Sequence, residues 1–158
     1  MFSVLRTAAL CAVAAVAANL VPAATCADTP NRHFDGAWDT ILSCANVNAA
    51  LGYSFQFVST VKDGVLHGEK GEQGKAGWLA LDGSILEDGS ANLYVQGLVG
   101  AAPYAVGQRP AGTAYGYHLD SKFAADSGKG TRVEGRPCSA AFSKRRSEEH
   151  TSELQSPA

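Results

Sequence analysis

Nowhere does this sequence repeat apolar residues at i, i+3, i+4 and i+7 for long enough to make a convincing amphipathic helix, so a helical bundle is excluded. It also lacks a basic stripe and a polybasic patch. Setting aside Arg6 and Arg146 leaves 11 of the 13 basic residues, and setting aside Glu148, Glu149 and Glu153 leaves 12 of the 15 acidic ones, so residues 28–145 carry a net charge of −1. That balance argues against nucleic acid and against a membrane surface as partners. There is no P-loop, no G-x-G-x-x-G following a strand, and no serine in a G-x-S-x-G elbow. The expectation is a protein without catalytic residues and without a cofactor.

Metal-ligand clusters are equally scarce. His33, Asp35 and Asp39 form the densest ionisable group, but they lie along one strand and do not converge as zinc ligands must, so they read as exposed charge. His67 and His118 are single residues on polar faces and are expected to meet water. No metal site is predicted.

The two ends of the chain fall outside the folded part. Residues 1–27 have the layout of a secretory signal peptide: Arg6 starts it, an apolar run covers Ala8 to Val21, and Thr25-Cys26-Ala27 offers small residues for cleavage after Ala27. That run is short for a transmembrane helix, which needs about 20 residues, so no membrane insertion is expected after cleavage. A lipoprotein reading would acylate Cys26, although Ala23-Ala24-Thr25 lacks the expected leucine. At the other end, Arg146 to Ser156 is identical to the in-frame translation of a common short-read sequencing adapter. Residues 146–158 are therefore read as sequence contamination and expected to form a disordered tail outside the fold.

What remains, residues 28–145, is enough chain for one domain. All 17 glycines lie within it, between runs rich in β-branched and aromatic residues, which predicts many short strands joined by turns. The first strand spans His33 to Cys44 and places Trp38, Thr40, Leu42 and Cys44 on one inward face. Gly52 to Val61 alternates with Tyr53, Phe55, Phe57, Ser59 and Val61 on one side, and Asp63-Gly64 marks a tight hairpin into Val65 to Glu69. Gly68 to Gly77 repeats glycine in threes but lacks the proline of a triple helix, and is expected to be a mobile loop. Strands follow at Trp78 to Ile85, Ala91 to Leu98 and from Thr113 to Phe123, the last two separated by a long irregular segment, Gly100 to Gly112. A turn at Asp126 to Gly130, a short strand at Thr131 to Glu134 and a last strand from Cys138 to Ser143 complete the set.

Eight strands in sequential hairpins predict a small antiparallel up-and-down β-barrel. With Cys11 and Cys26 lost with the leader, Cys44 and Cys138 remain. Export would place them in an oxidising compartment, periplasmic or extracellular, where disulfides persist. Cys44 ends the first strand and Cys138 begins the last, so in a closed meander both sit at one rim. A disulfide is expected there, with Cα atoms about 5.5–6 Å apart.

Gly36-Ala37-Trp38 matches the G-x-W that opens the first strand of many lipocalin-like and avidin-like barrels. With the eight-strand meander and the length, the chain resembles the calycins, and in length the avidin-like ones more closely. The resemblance implies a basic residue from the last strand packed over the tryptophan, a role open to Arg136 or Lys144. It carries over no ligand, since neither a biotin-site pattern nor a second lipocalin motif is present. The span Phe34 to Phe142, ending in Gly130-Thr-Arg-Val-Glu-Gly-Arg-Pro-Cys138, also resembles a class of exported bacterial domains, which implies no activity.

Two functions follow as expectations. In the first, Trp38, Tyr53, Phe55, Phe57, Tyr115 and Tyr117 line a pocket in the barrel's open end and bind a small apolar or amphipathic ligand. In the second, these side chains fill the barrel, and its loops contact another protein of the cell envelope as an interaction or inhibitor module. The volume left inside the barrel distinguishes the two.

Overall fold

A computed structural model describes residues 31–146. The expected signal peptide, at 1–27, and all but the first residue of the expected tail, at 146–158, lie outside the described residues. The strands are β1 (Gly36–Cys44), β2 (Tyr53–Lys62), β3 (Val65–Lys70), β4 (Leu79–Ser84), β5 (Ser90–Leu98), β6 (Ala114–Phe123), β7 (Ser127–Arg132) and β8 (Cys138–Lys144). Each pairs antiparallel with the next, and β8 pairs with β1 to close the barrel.

Alternation puts one face of every strand inside. Along β1, Trp38, Thr40, Leu42 and Cys44 are all buried, and on β5 and β6 Leu93, Val95 and Leu119 are fully buried. The two polar residues facing inward from β1 and β2 satisfy each other: Thr40 Oγ1 and Ser59 Oγ are 2.8 Å apart in a buried hydrogen bond. The β2–β3 hairpin turns on Asp63 and Gly64, both at positive φ, which is the conformation a two-residue hairpin requires.

One strand differs from its sequence expectation. Asp126 to Gly130 reads as a turn, yet β7 begins at Ser127 and takes in Gly128 and Gly130. Their lack of a side chain is what places them there. A Cβ on Gly128 would meet the Phe123 ring at 2.8 Å and Phe142 at 3.2 Å. β7 is thus a thin strand over which large neighbours fold, and its glycines serve packing rather than turning. The glycine-triplet segment forms a loop over residues 71–78, anchored at its end. Gly77 N donates to Leu98 O at 3.0 Å and Leu98 N donates to Trp78 O at 2.9 Å, which ties that end to β5.

Strand direction sorts the barrel into two ends. At the end where β1 starts, residues 31–35 lie across the base. Asn31 Nδ2 donates to Ile85 O, and the Asp35 carboxylate accepts from the backbone N–H groups of Asp63 and Gly64. Phe34 is buried there beside Trp38, whose Nε1 donates to Phe34 O at 2.9 Å. The Phe123 ring stands edge-on to the Trp38 ring at 5.4 Å and packs on Phe142 at 4.8 Å. Of the two basic candidates, Lys144 is the one over the tryptophan, with Nζ 5.7 Å from a ring centroid, whereas Arg136 lies over Tyr53.

At the opposite end, a Cys44–Cys138 disulfide links β1 to β8. The Cα atoms are 4.0 Å apart, closer than the usual disulfide spacing. The cysteines face each other directly across the ladder. The next pair outward carries the hydrogen bond from Ala45 N to Pro137 O, so the cysteines occupy the closely spaced, non-hydrogen-bonded kind of pair.

Candidate ligand-binding site

The disulfide end of the barrel is hollow. The C-terminal ends of β1, β3, β5 and β7 and the N-terminal ends of β2, β4, β6 and β8 meet at this rim, together with segments 45–52, 71–78, 99–113 and 133–137. A cavity of about 780 Å³ opens here, within the range of small-molecule sites. Tyr53 and Phe55 of β2 and Tyr115 and Tyr117 of β6 line it, reaching in from opposite sides of the eight-strand ring. Tyr53 and Phe55 lie with ring centroids 4.8 Å apart, and Tyr115 and Tyr117 stack at 6.3 Å.

The six aromatic residues expected to form a pocket therefore divide. Tyr53, Phe55, Tyr115 and Tyr117 come together around the cavity. Trp38 belongs to the sealed base, and Phe57, at 8% exposure, belongs to the core below the cavity floor; neither is among its lining residues. The division follows from strand direction, since β1 reaches Trp38 at the base and β2 runs down from the rim, so that Phe57 sits one inward position deeper than Phe55.

Cations were not among the expected site residues, and the cavity has four: Lys70, Arg109, Arg132 and Arg136. Lys70 ends β3 and Arg132 ends β7. The Lys70 Nζ lies 4.5 Å from the Phe55 ring centroid, and the Arg132 guanidinium carbon lies 4.1 Å from that of Tyr117, both within cation–π range. Arg136 is buried and holds the rim together. Its Nε donates to Ala45 O at 2.7 Å, Nη1 to Tyr104 O at 2.7 Å, and Nη2 to Leu51 O, so one side chain fixes two neighbouring loops from a third. The sequence signal for these residues was present in the topology. In a meander of eight strands, Lys70, Arg132 and Cys44 all come at strand ends of the same rim.

The site's phenols are held neutral. Burial pushes the hydroxyls of Tyr115 and Tyr117 well above the ordinary phenol value, and the neighbouring Tyr53 adds to the effect. Tyr53 is raised too by burial, with Arg136 opposing it. The three remain hydrogen-bond donors throughout the neutral range. Raised folded-state values mean that these groups contribute stability below the unfolded phenol value of about 10, and that this contribution is lost as pH climbs beyond it. Alkaline titration followed at 295 nm should therefore show Tyr53, Tyr115 and Tyr117 ionising late, with their contribution to the unfolding free energy lost only above about pH 10. If these three ionised near the ordinary phenol value, the rings would not be enclosed as described.

His33, Asp35 and Asp39 do not converge. Asp35 caps the β2–β3 hairpin, Asp39 pairs with Arg145 at 2.6 Å, and His33 is exposed. Among the described residues no group of three His, Cys, Asp or Glu side chains is placed to hold a metal. In comparisons with known proteins, no family model, no curated protein and no solved structure matches this chain.

Proposed function

We propose that the protein is a non-catalytic binding module that takes a small apolar or amphipathic ligand into the disulfide end of the barrel. The observation that carries this reading is the cavity of about 780 Å³ flanked by two facing pairs of aromatic rings. A barrel of eight strands is at the size where the interior either fills or keeps room for one ligand. Here the base is packed and the mouth is not. The arrangement is calycin-like in the sense of a meander barrel with one sealed end, and Lys144 of β8 over Trp38 supports that kinship. An exported, oxidising location is the setting we infer, supported by the Cys44–Cys138 bridge.

The neutral dye N-phenyl-1-naphthylamine tests the reading. Saturable binding with one site per chain and a fluorescence rise are expected. Ala105→Trp turns a buried lining alanine into an indole and should weaken that binding about tenfold or more in protein that circular dichroism shows to be folded. A dye that fails to bind the folded wild-type protein, or that binds the Ala105→Trp variant equally well, removes the cavity as the site.

A further inference from the structure

Resting on that binding reading, we propose that the ligand is an organic anion: a carboxylate or sulfonate head held at Arg132, with its apolar body among Tyr53, Phe55, Tyr115 and Tyr117 and with Lys70 across the mouth adding to the positive field. The cavity lining contains four cationic side chains and no aspartate or glutamate. The sign imbalance is local, because the chain as a whole is slightly acidic at −2. A concave, low-dielectric mouth with charges of one sign focuses its field on whatever enters, and here that field selects anions.

The four cations have different duties. Arg136 is committed to three backbone carbonyls and is part of the frame. Lys70, Arg109 and Arg132 make no ion pair among the described residues, although other cations of the barrel do, at Arg32–Asp63, Lys122–Asp88 and Arg145–Asp39. Arg132 stands out further, since its Nε is buried with no hydrogen-bond partner among the described residues. A buried donor on a charged group is costly to leave unmatched. With Nε enclosed, a guanidinium resting on a ring face offers its terminal Nη1 and Nη2 groups, and that pair fits a carboxylate or sulfonate. The neutral phenols of Tyr53, Tyr115 and Tyr117 add donors and no competing charge.

Two dyes of one shape separate the anion from the apolar body. 8-Anilinonaphthalene-1-sulfonate is N-phenyl-1-naphthylamine with a sulfonate added. At low salt the sulfonate dye should bind the wild-type protein about 10- to 100-fold more tightly than its neutral counterpart, the range for a charge-assisted hydrogen bond. Raising sodium chloride to about 0.5 M should narrow that gap by screening. Arg132→Gln should weaken the sulfonate dye about tenfold and leave the neutral dye within about twofold. Decanoate should displace the sulfonate dye more effectively than decanol does. The wild-type salt and decanoate arms keep the test decisive should the variant fold poorly. If the neutral dye binds and the sulfonate brings no gain, the anion proposal is overturned while the cavity reading stands. Equal losses of both dyes in Arg132→Gln would make Arg132 a packing residue and overturn its role. Binding of neither dye overturns both.

Discussion

Trp38→Ala is expected to destabilise the barrel by about 3–5 kcal/mol, the usual loss on truncating a buried large aromatic. Trp38 is fully buried, meets the Phe123 ring edge-on at 5.4 Å, and donates from Nε1 to Phe34 O. Alanine would lose the burial, open a cavity in the sealed base and leave the Phe34 carbonyl without its donor. Against a total of about 5–15 kcal/mol for an ordinary domain, that is a large share. Trp38→Phe keeps most of the apolar surface and should lose less. Urea unfolding of both variants measures the difference. Binding of the neutral dye to Trp38→Phe should match wild type, because Trp38 lies at the other end from the mouth. A weakened affinity there would return Trp38 to the site and contradict the division of the barrel into a packed base and an open rim.

Removing the bridge is expected to cost about 2–5 kcal/mol, whether by reduction or by Cys44→Ala with Cys138→Ala. The cysteines are 94 residues apart in sequence, and in the chain-entropy account a loop near 100 residues restricts the unfolded state by about 4.7 kcal/mol. Thiol titration of unreduced protein comprising residues 28–145 should find neither cysteine free, and the urea midpoint should fall on reduction. Two titratable thiols in that folded protein would show that the seam is held by backbone pairing alone. Loss of the bridge should also relax the rim, since Arg136 and Cys138 lie two residues apart and Arg136 ties loops 45–52 and 99–113 together.

Much of the fold was legible because period-2 alternation and turn chemistry are local signals. Trp38, Thr40, Leu42 and Cys44 alternate inward as their spacing requires, and Asp63-Gly64 turns as its residues require. β7 was obscured because its inward positions are Gly128 and Gly130, which carry no hydrophobic signal of their own. The bulk on that face is supplied by neighbours, Phe123 and Phe142 for Gly128 and Ser121 for Gly130. In the site, aromatic residues were visible and depth was not. Nothing in the alternation of β2 says how far down the barrel the filling reaches, so Phe57 looks the same as Phe55. The cations went unread for a related reason: Lys70 and Arg132 sit beside turns, where charge is ordinarily solvated, and only closure of the ring turns those strand ends toward one mouth.

The pairing of β1 with β8 also dictates an order of events. On a chain emerging N-terminus first, β2 to β7 can each lay down beside the strand before it, but β1 keeps one open edge until Lys144 has appeared. Until then the assembly is an unclosed ribbon whose two free edges invite pairing with other chains. Contacts this distant in sequence also make for slow assembly. Closure, oxidation of the cysteines and formation of the mouth thus all wait on the same final strand, the seven residues of β8. A chain built this way has neither a completed base nor a mouth until its last strand is made, since Phe142 and Cys138 both belong to β8.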